Sequence, residues 1–277
     1  MCMTAVCVKT ASKADNGRQH ITDNRQQITV ACATESDDMK LTVLGTGDTV
    51  GTPKIGCDCE VCKAALARGL ERLRSTYLIE VEGHHILIDT SPDLRKQLLL
   101  AGSPKIDAVL WTHAHYDHIA GYNEFYRIQK YPPGYAAKGV MDDVAKYFHF
   151  VDFKKYPQTP YVPFELFGIK FTFVEVNHPW MYTCGVIIEY NGRKIGITSD
   201  TNDVLSDRTV AAFENCDIMF IDALMNPTIH IGKHMNYAEA IAFADRVKPK
   251  EFHLVHMSHN IPLDWKYVCH DGFSVEI

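Results

Sequence analysis

The apolar run Ile106-Asp107-Ala108-Val109-Leu110-Trp111 leads directly into Thr112-His113-Ala114-His115-Tyr116-Asp117-His118. Three imidazoles and a carboxylate in six consecutive positions are more than a polar loop gathers by accident in a chain with 14 histidines. Imidazole nitrogen and carboxylate oxygen are the donors that hold zinc, manganese or iron at catalytic sites. The apolar run reads as a buried strand. The ligand-rich segment reads as the loop between that strand and a helix predicted from His118 to about Lys130. A loop can turn alternate side chains toward one point, which a helix with this spacing would not do. The fold must therefore bring this strand end to a place where other donors converge.

Other strand ends offer such donors. Strands are predicted at 169–176, 184–190, 194–198, 216–221 and 251–255, with helices at 206–215 and 237–247. His178 follows the first of these strands, Asp200 follows 194–198, and His256 ends the last. Each alone is an ordinary polar residue. Their shared place after apolar strands is what marks them as ligands, because strand-end loops gathering at one sheet edge are how such folds build a site. Upstream, Lys40-Leu41-Thr42-Val43-Leu44 reads as a strand ending in the tight turn Gly45-Thr46-Gly47-Asp48, and residues 60–69 read as a helix. Strands 77–81 and 85–88 form a predicted hairpin around Glu82-Gly83. Ser91-Pro92-Asp93 then opens a helix through Leu100, with proline in the first turn, where its missing N–H costs nothing. The simplest architecture is α/β, a four-layer α/β/β/α sandwich over residues 39–277. Residues 1–38 are polar and aperiodic and are expected to form a loosely ordered extension, in which Cys2, Cys7 and Cys32 have no ligand-like spacing.

A second donor set lies in Gly56-Cys57-Asp58-Cys59-Glu60-Val61-Cys62, and His259 stands three positions after His256. Three thiolates and one imidazole complete a closed tetrahedral zinc site, which is structural because no position stays open for water. If His256 and His259 bind different metals, this zinc clamps the loop that presents a catalytic ligand. Nine cysteines, three of them between 57 and 62, suit a reduced compartment better than a disulfide framework. No apolar stretch approaches the roughly 20 residues that span a bilayer, and Met1 to Lys40 lack a secretory h-region. A cytoplasmic location is therefore expected. The net charge of −6 gives no general attraction to nucleic acid or anionic membrane, so a polyanionic substrate would be captured locally, by metal ions.

The pattern His113-x-His115-x-Asp117-His118, with His178, Asp200 and His256, resembles the metallo-β-lactamase superfamily over about residues 39–277. The resemblance implies that His113, His115 and His178 serve one metal, that Asp117, His118 and His256 serve a second, and that Asp200 bridges them. An Asp117-His118 pair, where other branches carry Asp-Arg or Asp-Cys, implies a filled dinuclear site and argues against the antibiotic-hydrolysing branch. Leu44-Gly45-Thr46-Gly47, the cysteine set, Ile88-Asp89-Thr90-Ser91-Pro92-Asp93-Leu94-Arg95 and Leu254-Val255-His256-Met257-Ser258-His259 narrow the likeness. They resemble the PhnP-type phosphoribosyl 1,2-cyclic phosphate hydrolases.

That likeness implies hydrolysis of a small cyclic phosphodiester, such as 5-phosphoribosyl 1,2-cyclic phosphate, by a hydroxide bridging two divalent ions of Mn, Zn or Fe. One structural Zn would sit beside them. The implied partner is a small phosphorylated sugar or nucleotide rather than nucleic acid or membrane, and the implied assembly is a homodimer. His234 matches the family's non-ligand catalytic histidine, a phosphate clamp or general acid, and counts with Asp117 and Asp200 as catalytic. His230, four residues earlier, is the competing choice. Asp89 resembles the family's structural aspartate, which orders the ligand loop. Tyr122, Tyr126 and Trp180 lie next to ligands in sequence and are candidates to line the pocket.

Four alternatives share part of this pattern. A tRNA-processing nuclease shares the ligands, but the acidic charge and the lack of a long basic Gly/Pro-rich insertion oppose it. A thioester hydrolase lacks the cysteine site. A mononuclear iron oxidoreductase requires Asp117 and His118 to stay unfilled. A PqqB-like non-hydrolytic cofactor-biosynthesis protein shares the cysteines but typically departs from the full His/Asp set.

Overall fold

Residues 38–277 are described by a computed structural model; the expected extension lies, apart from Asp38, outside the described residues, as do Cys2, Cys7 and Cys32. The first half of the chain supplies β1 (Lys40–Gly45), α1 (Glu60–Arg68), β2 (Thr76–Val81), β3 (His84–Ile88), α2 (Leu94–Leu100), β4 (Ala108–Trp111), α3 (Tyr116–Ile119), β5 (Gly134–Ala137), α4 (Lys138–Tyr147) and β6 (Lys155–Gln158). The second half supplies β7 (Phe164–Leu166), β8 (Ile169–Val176), β9 (Thr183–Tyr190), β10 (Arg193–Ile197), α5 (Asp207–Phe213), β11 (Ile218–Asp222), α6 (Tyr237–Val247), β12 (Glu251–Val255) and β13 (Ser274–Glu276).

These strands make two mixed sheets, of order β13-β1-β2-β3-β4-β5-β6 and β12-β11-β10-β9-β8-β7. Strands β3 to β6 run parallel, as do β10 to β12, and the hairpins are antiparallel. The turn between β2 and β3 holds Glu82 and Gly83 at φ of 46° and 77°. Those left-handed values match the twist of a two-residue hairpin.

Alternation along the inner strands explains the layering. Ile218 and Phe220 of β11 join the core shared with Leu41, Ile79 and Phe171. Their neighbours Met219 and Ile221 pack instead with Val210 and Phe213 of α5 and Phe243 of α6. Successive side chains point to opposite faces of a strand, so a strand apolar at every position is covered on both sides. The result is the α/β/β/α sandwich expected from the sequence. Among the described residues no helix is long and apolar enough to cross a membrane.

The helix predicted from His118 to Lys130 is not formed. The structure has only the short α3, followed by a 3-10 turn over Ala120–Phe125. Gly121 donates its N–H to the Thr90 carbonyl at 2.9 Å. A Cβ at Gly121 would lie 1.9 Å from the Ser91 carbonyl oxygen. The chain is thus pressed against the β3–α2 connection, and a longer regular helix has no room. Residues 131–168, which carried no sequence assignment, supply β5, α4, β6 and β7.

Asp271 ties the C-terminal segment to the turn after β1, accepting from the N–H and hydroxyl of Thr46 and the N–H of Leu73. Burial pushes its carboxyl up to about 6, and these hydrogen bonds offset only part of that. The folded protein then binds more protons at this site than the unfolded chain does between about pH 4 and 6. Its contribution to stability therefore falls as pH rises through that window and is level above it. Denaturant titrations at several pH values should show the native protein losing stability across the window relative to Asp271→Asn. Parallel curves for the two proteins would contradict the assignment.

Candidate metal centres

The donors singled out in the sequence meet at one edge of the two sheets. His113 and His115 follow β4, His178 follows β8, Asp200 follows β10 and His256 follows β12. At two of these strand ends, and at the end of β3, the backbone enters the left-handed region: Ser199 at φ 55°, His256 at 55° and Asp89 at 61°. Non-glycine residues rarely adopt it, and such conformations persist where surrounding contacts over-determine them.

Two donor groups share one residue. His113, His115, His178 and Asp200 offer one set of ligand atoms, and Asp117, His118, Asp200 and His256 offer the other, each set within 4.8 Å. Asp200 Oδ2 lies 3.4 Å from His113 Nε2 and from His256 Nε2, and 3.9 Å from His178 Nε2. Its Oδ1 lies 3.4 Å from His118 Nε2. Asp117 Oδ2 completes the second set, 3.6 Å from His118 Nε2 and 3.5 Å from His256 Nε2.

Electrostatics divides the imidazoles. Burial lowers His113, with the neighbouring His118 charge adding to it. Burial likewise lowers His115 and His178, both to about 4. All three shifts favour the neutral imidazole, which is the ligating form. Burial also opposes charge on His118 and His256, but the carboxylates led by Asp200 outweigh it and raise both well above the usual imidazole value. Burial similarly works against ionising Asp117 and Asp200, and the surrounding histidines reverse it, holding both carboxyls low.

Several of these atoms are buried and have no hydrogen-bond partner among the described residues: His118 Nε2, His178 Nε2 and Asp200 Oδ1. Buried polar groups are otherwise almost always paired. Unpaired nitrogens and a carboxylate oxygen converging on shared points fit divalent cations and little else.

Asp89 orders this loop. Its carboxylate accepts from Thr112 N–H at 2.9 Å and Thr112 hydroxyl at 2.8 Å, and its Oδ2 is 2.7 Å from His118 Nδ1. The contact fixes the tautomer that turns Nε2 of His118 toward Asp117 and Asp200. Asp89→Ala is expected to weaken metal affinity at the Asp117/His118/His256 set by about 10- to 100-fold. Titration with a metallochromic competitor checks this, and an unchanged affinity would refute it.

His234 lies beside the cluster, its ring centroid 4.9 Å from that of His178 and 5.1 Å from that of His256. His230 instead is exposed and pairs with Glu239 at 2.9 Å. Sequence reading missed Asp222, which closes β11. It is buried, sits 2.9 Å from His234 Nδ1 and 3.3 Å from His256 Nδ1, and accepts from Thr201 N–H. Its position after an apolar strand was the signal available, the same one that marked Asp200.

The structure also gathers Cys57, Cys59, Cys62 and His259. Cys57 and Cys59 Sγ lie 3.5 and 3.3 Å from His259 Nδ1. Cys59 caps α1 by accepting from Cys62 N–H. The His259 contact, aided by that N–H, lowers the Cys59 thiol to about 6. Burial pushes Cys62 up to about 11. A cation would reverse the latter by stabilising the thiolate. Arg72, a buried guanidinium also unmarked in the sequence, donates to the carbonyls of Ser258, Ile261 and Pro262. It braces the segment that carries both His256 and His259.

Comparison with known proteins agrees with this architecture. The family model of the beta-lactamase superfamily domain matches residues 84–257. A solved structure described as a new diphosphatase from the PhnP family superposes with a TM-score of 0.76 at 30% identity, over 87% of this chain and 97% of that one. Zn(2+)-bound PqqB from Methylobacterium extorquens shares the fold at 20% identity, with a TM-score of 0.72 over 86% of this chain and all (100%) of that one. A protein from Porphyromonas gingivalis described as an octanoyltransferase is 30% identical over 256 residues, 85% of this chain but only 50% of that protein. The chain spans half or less of the length of the first curated relatives it matches. Family model, fold and PhnP-family likeness together place the chain in the metallo-β-lactamase superfamily, in its PhnP-like branch.

Proposed function

We propose that this protein is a dinuclear phosphodiesterase that hydrolyses a small cyclic phosphodiester such as 5-phosphoribosyl 1,2-cyclic phosphate. The observation that carries the reading is Asp200, buried and with its one carboxylate within 3.4 to 3.9 Å of His113 and His178 of one donor set and 3.4 Å of His118 and His256 of the other. His113, His115 and His178 would hold one ion, and Asp117, His118 and His256 the other, with Asp200 common to both. Mn, Zn and Fe all accept such ligands. When bound, two divalent ions supply Lewis-acid charge for phosphate oxygens and lower the pKa of water between them. Cys57, Cys59, Cys62 and His259 would hold a structural Zn, whose soft thiolate set leaves no open position.

The residues around the cluster suit opening of a five-membered cyclic diester. The leaving group is a sugar oxygen and needs a proton. His234 meets Asp222 through Nδ1, so its proton exchange takes place at Nε2. That nitrogen is the one left free of Asp222 to pass a proton to the leaving oxygen. A serviceable general acid also has to be held in place, and the Asp222 contact does that. The PhnP-family diphosphatase among the relatives supports chemistry at phosphorus.

Phosphorus NMR of 5-phosphoribosyl 1,2-cyclic phosphate, recorded after incubation with the Mn-loaded protein and removal of protein, tests the proposal. A single phosphomonoester-bearing product is expected. An unchanged substrate spectrum, with both catalytic metals shown to be bound, would overturn it.

A further inference from the structure

Trp180 stands out from the other two tryptophans of the chain. Trp111 is fully buried and Trp265 packs against Tyr237, whereas Trp180 is 91% exposed. Single exposed apolar residues are common and carry little meaning alone. Three further observations separate this one. It occupies the third position of a tight turn in which Met181 N–H donates to the His178 carbonyl at 3.2 Å, with Pro179 at the second position. Its φ is 70°, the value that favours glycine there. A bulky aromatic is thus held outward where glycine would sit with less strain. The turn begins at His178, one of the metal donors.

The second element comes from another loop. Lys233 Nζ lies 4.7 Å from the Trp180 ring centroid, over its face. Lys233 is at the tip of a turn closed by His234 N–H to the Ile231 carbonyl at 3.0 Å. Asn202 Nδ2 holds the Gly232 carbonyl at 2.9 Å, and Met235 N–H reaches the Thr201 carbonyl at 2.8 Å. The Lys233 loop is thus anchored by a side-chain and a backbone hydrogen bond and the Trp180 turn is closed by its own, and the bases of both meet where the His178 and His234 rings lie 4.9 Å apart. An open π face and an ammonium are fixed together beside the donor cluster.

We propose that Trp180 and Lys233 form a nucleotide-binding platform. The indole stacks on a nucleobase, Lys233 pairs with a phosphate of the same molecule, and the phosphoryl group to be cleaved is directed to the donor cluster. Base–aromatic stacking tolerates any base, because every base has a π face. The platform thus adds affinity for nucleotides to what the donor cluster gives any small phosphodiester, base-free ones included, without choosing among bases. It rests on the phosphodiesterase reading for the reaction, but not for the binding.

Binding of AMP and of ribose 5-phosphate to the full zinc-loaded chain, followed by tryptophan fluorescence and calorimetry, tests the platform. AMP should bind about 5- to 100-fold more tightly than ribose 5-phosphate and should quench the exposed indole. In Trp180→Gly that preference should collapse toward unity. Glycine adopts this φ without strain, and a thermal melt no lower than that of the native protein verifies the fold. Lys233→Gln should weaken AMP binding while leaving some preference for the base. Equal affinities in the native protein, or an AMP preference that survives Trp180→Gly, would overturn the proposal. AMP quenching in a protein that cleaves no phosphodiester keeps the platform and removes the reaction. Cleavage of the base-free cyclic diester without an AMP preference does the reverse.

Discussion

Asp200→Ala is expected to lower kcat/KM for the cyclic diester by at least about a thousandfold and to leave the protein short of one catalytic metal. Four imidazoles, those of His113, His118, His178 and His256, lie within 3.4 to 3.9 Å of its carboxylate. With the carboxylate gone, the two donor sets no longer share a ligand, and two cations would have to approach each other without the negative charge between them. Removing one partner from a buried charged network typically costs several kcal/mol, because the remaining charges stay buried and unpaired. A loss of about 4 kcal/mol in transition-state stabilisation corresponds to roughly a thousandfold in rate. Asp200→Asn separates charge from shape: it keeps one oxygen donor and the side-chain volume, and should fall between the native protein and the alanine variant. Elemental analysis and steady-state kinetics on the same preparations decide the matter. Two bound metals and activity within tenfold of native in the alanine variant would remove Asp200 from the centre of the site.

The donors were legible in the sequence because chemistry and topology left the same mark on them. His113, His178, Asp200 and His256 each follow an apolar strand, so the loop position that a site requires could be read from hydrophobic runs alone. Strands 169–176 and 251–255 and helix 237–247 have the bounds expected. What stayed hidden either carried this mark without a partner in sequence to give it meaning or carried none. Asp222 ends its strand as an ordinary acid, and only the tertiary approach of His234 makes it a partner. Arg72 is a buried cation satisfied by three carbonyls some 190 residues away, a pairing that local pattern does not encode. Residues 131–168 hold prolines and exposed polar positions. Edge strand β6 carries Pro157, which a strand tolerates only where one side lacks a partner. The overlong helix after His118 failed for a steric reason, the seating of Gly121 on the Ser91 carbonyl, to which helical periodicity is blind.

Cys57→Ser is the second substitution with a large expected effect, and its consequences reach the catalytic donors through the chain. Cys57 is half-buried, so serine there costs little in packing, and whatever stability is lost comes from the cation its thiolate would hold. Structural zinc in small domains contributes about 10–16 kcal/mol of apparent binding free energy. Losing about 3 kcal/mol in a chain of this size would lower Tm by about 5 °C or more. The damage would not stop at the cysteine loop. His259 is three residues from His256, and the intervening segment is held by Met257 N–H to the Thr46 carbonyl, Ser258 N–H to the Leu224 carbonyl and the Arg72 guanidinium. Releasing His259 loosens one end of a segment whose other end presents a donor at φ 55°, a conformation that depends on outside restraint. Zinc content should therefore drop by one equivalent, Tm should fall, and occupancy of the Asp117/His118/His256 set should weaken with it. Adding a chelator to the native protein should reproduce the Tm change but not add to it in the variant. If Cys57→Ser keeps its full zinc complement and melts with the native protein, the thiols are not a metal clamp and His256 takes its position from Arg72 and the backbone contacts alone.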